Sequence, residues 1–145
     1  MSDLIKNASE QLKEIIMSAL GSLVSKELVP ATELPAFNIE IPADKSHGDF
    51  AANTAMVCAK AFRLPRKIAE LICGEINLDG TLFYKWEIAG PGFINFFLSK
   101  SWFANVVKEV LDEGDDYGKT DYGKGKRVLV EFVSANPTGP MHVGN

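Results

Sequence analysis

Soft metal ligands are scarce in this 145-residue sequence, which has two cysteines and two histidines. Cys58 and Cys73 are fifteen apart and have no further cysteine or suitably spaced histidine beside them. Neither a zinc site nor a disulfide framework is expected. Both fall in helical patterns and read as buried thiols of a reducing compartment. Long apolar runs are missing too. None approaches the roughly 20 residues that a membrane span needs, and the N-terminal stretch carries Asp3, Glu10 and Glu14, which is wrong for a secretion signal. There is no surplus of positive charge. The net charge is −4, so any contact with nucleic acid has to rest on a local patch rather than on the field of the whole protein. What is present is a globular composition, 46% hydrophobic and 23% charged, with length enough for one ordinary domain and a small appendage.

Leu4, Ile5, Ala8, Leu12, Ile15, Ile16, Ala19, Leu20 and Leu23 recur at three- and four-residue spacings. This predicts a helix over 3–26, with Ser2 or Asp3 as its cap, and Pro30 and Pro35 mark its exit. Phe37, Ile39 and Ile41 alternate with Asn38 and Glu40, a short half-buried strand closed by Pro42. Residues 44–50 read as a polar loop, and 51–62 as a second helix whose small side chains allow close packing. In that loop Asp49 is available to cap the helix, and His47 reads as structural. Pro65 suits the first turn of a third helix with Ile68, Leu71, Ile72 and Ile76 along one side. Residues 82–89 and 93–98 flank Gly90-Pro91-Gly92 as an antiparallel hairpin. Ser99 or Ser101 then caps a fourth helix, with Trp102, Phe103, Val106, Val107, Val110 and Leu111 on its buried side. The predicted fold class is therefore α+β over residues 1–111, a small antiparallel sheet covered by helices. Residues 112–126 contain Asp-Tyr-Gly-Lys twice and almost no aliphatic side chain, and read as a linker.

A second unit opens at 127 and extends to 145. Val128 to Val133 is a near-continuous apolar run suited to the interior of a parallel sheet, the first strand of a truncated α/β nucleotide-binding domain. Ligands of such sheets bind beyond the carboxyl ends of the strands, where Ser134 to Asn145 falls. Pro137 and Pro140 stiffen this loop, and Gly139 and Gly144 permit close ligand approach. A helix beginning after Gly144 would favour phosphate at its N-terminus, and His142 could donate to a phosphoryl oxygen as charge develops. Taken as a bare tetrapeptide, His-x-Gly-Asn reads more readily as an ordinary Pro/Gly connection with an incidental histidine.

The longer string Glu131-Phe-Val-Ser-Ala-Asn-Pro-Thr-Gly-Pro-Met-His-Val-Gly-Asn145 resembles the first signature of class I aminoacyl-tRNA synthetases, in the version carried by the arginyl-tRNA synthetase family. Lys45-Ser-His-Gly-Asp-Phe-Ala-Ala-Asn-Thr-Ala-Met56 and Ala89-Gly-Pro-Gly-Phe-Ile-Asn-Phe96 resemble two stretches of that family's N-terminal additional domain. The resemblance implies ATP-dependent activation of arginine and transfer of the arginyl group to the 3′ end of arginine tRNA, with Mg2+ accompanying ATP and no tightly bound cofactor. It implies that His142, Gly144 and Asn145 serve ATP within the motif Ala135 to Asn145. His142 and Asn145 would act in catalysis, while Glu131, Ser134 and Asn136 would face L-arginine. It also implies a cytoplasmic, monomeric full-length enzyme with no resident metal, of which residues 1–145 alone are inactive. One position departs from the family pattern: Asn145 stands where a second histidine usually does. Asn donates and accepts hydrogen bonds but cannot carry positive charge.

The hairpin carries a separate expectation. If Ile94, Phe96 and Leu98 face the core, alternation puts Phe93, Asn95 and Phe97 on the opposite face. Two aromatics flanking an amide on an open sheet suit an unpaired base; packing of both rings under a helix is the alternative. The resemblance implies that Phe93 and Asn95 contact the D-loop of tRNA. Lys60, Arg63, Arg66 and Lys67 form the densest basic cluster and could meet RNA phosphates or simply be solvated. A free-standing RNA-binding module without catalysis is the competing class of function.

Overall fold

The computed structural model describes residues 3–62, 67–121, 123–131, 133–134 and 139–140, with the side chain of Asp3 excepted. It is an α+β domain. Helix α1 (Asp3–Ser25) leads to strand β1 (Ile39–Glu40), a 3-10 turn at Lys45–His47, strand β2 (Phe50–Ala52), and helices α2 (Thr54–Phe62) and α3 (Lys67–Glu75). The hairpin strands β3 (Phe83–Ala89) and β4 (Phe93–Leu98) and helix α4 (Lys100–Glu113) follow. The four strands form one antiparallel sheet in the order β1-β2-β4-β3.

One face of the sheet builds the core. Ile94 and Phe96 are fully buried, and Phe50, Ala52, Phe83 and Leu98 stand beside them. Against them lie Ala8, Leu12, Ile16, Ala19, Leu20 and Leu23, which share one side of α1 because their spacings of three and four follow the helix repeat. Ile68 and Ile72 of α3 and Cys58 of α2 complete the layer. Phe83 meets both Phe50 and Phe96 edge to face, with ring centroids 5.9 Å apart in each pair. The C-terminal end of α1 is tied to α3 through Glu75. Lys26 Nζ lies 2.6 Å from its carboxylate and Ser22 Oγ donates to it at 2.5 Å, and these bonds hold the Glu75 carboxyl below its ordinary value.

Several readings of the sequence change here. Residues 50–52 form a strand, where Phe50 reads as the end of a loop and Ala51 and Ala52 as the start of a helix. The small side chains of Ala51 and Ala52 are compatible with both, and pairing of Phe50, Ala51 and Ala52 with Phe96, Asn95 and Ile94 decides for the strand. Asp49 does not cap α2; its carboxylate accepts the backbone N–H of Leu98 at 2.9 Å. On α4 only Trp102 is buried. Phe103, Val107, Val110 and Leu111 are exposed, because α4 follows the sheet's last strand and meets the core only through its first turns. The described residues of 127–134 carry no regular secondary structure, and Val128, Leu129 and Val130 are exposed. A strand needs a neighbour to satisfy its backbone, and none of the described residues pairs with this run. Ser2, Arg63 and Arg66 lie outside the described residues.

Two glycines permit close backbone contacts that lock the sheet. Gly48 has φ +85 and ψ −170, a region open essentially to glycine alone. A Cβ there would sit 2.7 Å from the carbonyl oxygen of Phe96. Gly92, at φ +131 in the hairpin turn, would place a Cβ 2.9 Å from the backbone nitrogen of Met56. Its own carbonyl accepts the N–H of Met56 at 3.1 Å, satisfying one of the free donors in the first turn of α2.

Gly48→Ala is expected to cost at least about 1–3 kcal/mol in urea unfolding, the strain of that backbone region alone. Gly21→Ala, on the exposed side of α1 with nothing within 4 Å, should instead stabilise by about 0.5–1 kcal/mol. Burial pushes the Cys58 thiol up to about 11 and Cys73 to about 12, from an ordinary 9.0. The unfolded chain therefore loses these protons first. The stability owed to the two neutral thiols is complete below pH 9 and is lost as pH rises through 11 to 12. Thermal unfolding should show a steeper decline above pH 9 in the parent chain than in Cys73→Ala.

Candidate nucleic-acid interface

The second face of the sheet is left open. Cross-strand partners share a face, so the register Glu40–Ala51–Asn95–Glu87 defines one row across all four strands. Phe93 beside Ala89 and Phe97 beside Lys85 form the rows on either side. Phe93, Asn95 and Phe97 thus occupy the face opposite Ile94, Phe96 and Leu98, as the alternation predicts. The side chains of Phe93 and Phe97 remain partly exposed.

Small side chains at the centre of this face leave a hollow. Ala51, Ala89 and Gly90 contribute little volume, while Phe93, Pro42, His47 and Glu40 rise around them to enclose a cavity of about 310 Å³ with Asn95 among its lining. That is the lower end of the size range for small-molecule sites and accepts a flat heterocycle. Asn95 is 4% exposed, and its side-chain amide has no hydrogen-bond partner among the described residues. Among the described residues the buried side-chain polar atoms left without a partner are Thr54 Oγ1 and Trp102 Nε1; the Asn95 amide is not one of them and opens onto the hollow instead. Phe93 lines the same hollow, so an aromatic ring and an amide border one space.

Two lining residues were not selected from the sequence. His47 reads there as structural, and Glu40 as the polar position of a short strand. The 3-10 turn brings His47 in because Gly48 lets the loop lie against β4, with Asp49 N–H donating to Phe96 O at 2.9 Å. A contact of this separation leaves no periodic signal in the sequence. Glu40 did carry one: as a polar residue alternating with Ile39 and Ile41, it must point away from the core. Among the basic candidates, Lys60 and Lys67 are exposed, and neither lines the hollow.

The residues assigned to ATP and arginine are not gathered into a site by the described structure. Glu131 and Ser134 are exposed on a segment without regular structure. Asn136, His142, Gly144 and Asn145 lie outside the described residues, as does most of the motif from Ala135 onward.

The chain is thus an α+β domain, an antiparallel sheet with one face under helices and the other carrying a hollow lined in part by Asn95. The chain belongs to the arginyl tRNA synthetase N-terminal domain family, whose model matches residues 10–98. It is 45% identical to an arginine–tRNA ligase of Caldanaerobacter subterraneus subsp. tengcongensis and 46% identical to one of Desulforamulus reducens. Each alignment covers 100% of this chain and 26% of the relative. The chain thus spans about a quarter of the length of the curated relatives it matches. Among solved structures, the arginyl-tRNA synthetase of Plasmodium falciparum matches over 70% of this chain and 18% of its own, with a TM-score of 0.55. At 21% identity that likeness concerns the fold alone.

Proposed function

We propose that this chain is the tRNA-contacting N-terminal portion of an arginine–tRNA ligase, and that the hollow lined by Asn95 holds an unpaired base of the tRNA D-loop. The observation that carries this reading is the unpartnered amide of Asn95 beside Phe93, on the open face of a sheet whose family is that of arginyl-tRNA synthetases. Phe93 stacks the base and Asn95 gives and takes hydrogen bonds along its edge.

The full-length reaction would be ATP-dependent activation of arginine, with Mg2+ accompanying ATP, followed by transfer of the arginyl group to the 3′ end of arginine tRNA in the cytoplasm. In this division of labour residues 1–111 hold the RNA, 112–126 link, and 127–145 open the catalytic unit of a monomeric enzyme. Glu131 supplies a carboxylate for the cationic substrate, with Ser134 and Asn136 beside it. His142 and Gly144 serve ATP, and Asn145 acts there as a neutral hydrogen-bonding group. Residues 1–145 by themselves bind tRNA and do not catalyse adenylate formation.

Asn95→Ala should weaken binding to an arginine tRNA transcript by about 1–3 kcal/mol, the usual worth of a well-read base. It should have a much smaller effect on a transcript whose D-loop has been replaced. Equal losses on both transcripts, measured by filter binding at fixed salt, would remove Asn95 from recognition.

A further inference from the structure

The open sheet face carries a second hollow that the base site does not use. It lies at the opposite end of β4 and has a volume of about 490 Å³, lined by Asp49, Tyr84, Phe97, Leu98, Lys100 and Phe103. Three of these six are aromatic. Tyr84 is 64% and Phe103 49% exposed, although nothing in the fold requires a large ring at either position.

A β-bulge places Tyr84 there. Phe83 pairs with Leu98 and Lys85 with Phe97, so the register shifts between them and Tyr84 is the extra residue. Phe83 stays in the core, but Tyr84 and Lys85 both reach the open face and both meet the same ring. Tyr84 lies edge to face with Phe97 at 6.3 Å, and Lys85 Nζ stands 4.7 Å from the Phe97 centroid. In an unbulged strand consecutive residues point to opposite faces, so this pairing depends on the irregularity.

The charges nearby are partly committed. Asp49 accepts from Leu98 N–H, and Glu87 holds Lys85 at 2.5 Å. That pair is solvent-exposed, so a phosphate can replace Glu87 at small cost. Lys100 has no carboxylate partner among the described residues. A ring-lined hollow beside one committed and one uncommitted ammonium suits a nucleobase with its adjoining phosphate.

We propose that this hollow is a second nucleotide subsite, in which Tyr84, Phe97 and Phe103 stack another unpaired base of the same RNA strand and Lys100 meets its phosphate. The proposal rests on the reading of the Asn95 hollow as a base site. Phe93 and Phe97 are four residues apart on one face, about 13 Å along the strand, so two bases can be held without sharing a ring. The bulge in β3 leaves this spacing unchanged and adds Tyr84 beside the second ring.

The test is a set of double-mutant cycles between protein and RNA, with the 145-residue chain and arginine tRNA transcripts that each carry one abasic D-loop position. Tyr84→Ala with Phe103→Ala, both at exposed sites and checked by thermal unfolding, should weaken binding to the intact transcript by about tenfold. That loss should vanish for one abasic position, different from the position at which the Asn95→Ala loss vanishes. Lys100→Gln should reduce the slope of log affinity against log salt by about 0.7. Unchanged affinity overturns the subsite and leaves the hollow free for another class of partner, such as protein. A loss equal on every transcript, or one that vanishes at the same position as that of Asn95→Ala, overturns it as well. If Asn95→Ala has no effect while the Tyr84 and Phe103 coupling persists, the subsite stands and the reading of the Asn95 hollow fails.

Discussion

Strand β4 has neighbours on both edges, so its alternation decides what every other element meets. Ile94, Phe96 and Leu98 point to the helices, and Phe93, Asn95 and Phe97 point away. A slip of one residue would bury Asn95 in the aliphatic layer of α1 and expose Phe96. The register is held by several independent locks. The Gly48 loop lies on the Phe96 carbonyl, Asp49 binds the backbone on both sides of Phe97, and the Gly92 carbonyl ties the hairpin turn to α2. Each lock joins segments far apart in sequence, so they close together when the sheet forms.

The same locks make the open face a preorganised surface. Its hollow follows from small residues at Ala51, Ala89 and Gly90, surrounded by walls that the core holds in place. The aromatic contacts among Phe50, Phe83 and Phe96 on the other side of the sheet hold β2, β3 and β4 in place beneath the Asn95 amide. A flexible loop presenting the same amide would have to be ordered on binding, which lowers affinity. On a central strand that cost is already met in folding.

Much of this was legible in the sequence wherever the signal was periodic. The long repeat in α1, the hairpin around Gly90-Pro91-Gly92 and the two faces of β4 follow from spacing alone. Strand β2 did not, because one phenylalanine followed by two alanines is too short a run to show a period and becomes a strand only through pairing with a segment more than forty residues away. His47 was missed for a related reason: a 3-10 turn has no face until something fixes the loop that holds it. The amphipathic pattern of α4 was read correctly as a stripe but wrongly as a buried one. Periodicity identifies an apolar side without saying that anything covers it, and Val107 and Leu111 are uncovered. The motif residues at the C-terminal end were legible only by resemblance, since no helix or strand period runs through Ser134 to Asn145.

The bulge at Tyr84 shows how a departure from regularity extends what the sheet can present. A regular four-residue stretch of β3 offers two side chains to the open face, and the bulged stretch offers an additional one. The extra residue could have been hidden by a Gly or a short polar side chain. It is instead a tyrosine set against Phe97, next to a lysine over the same ring. Edge-to-face contact with Tyr84 and cation–π contact with Lys85 hold the Phe97 ring from two sides. The ring thus loses little further freedom if a flat partner stacks on it. The two ends of β4 present related chemistry in different forms: an amide-lined hollow beside Phe93 and an aromatic cluster around Phe97.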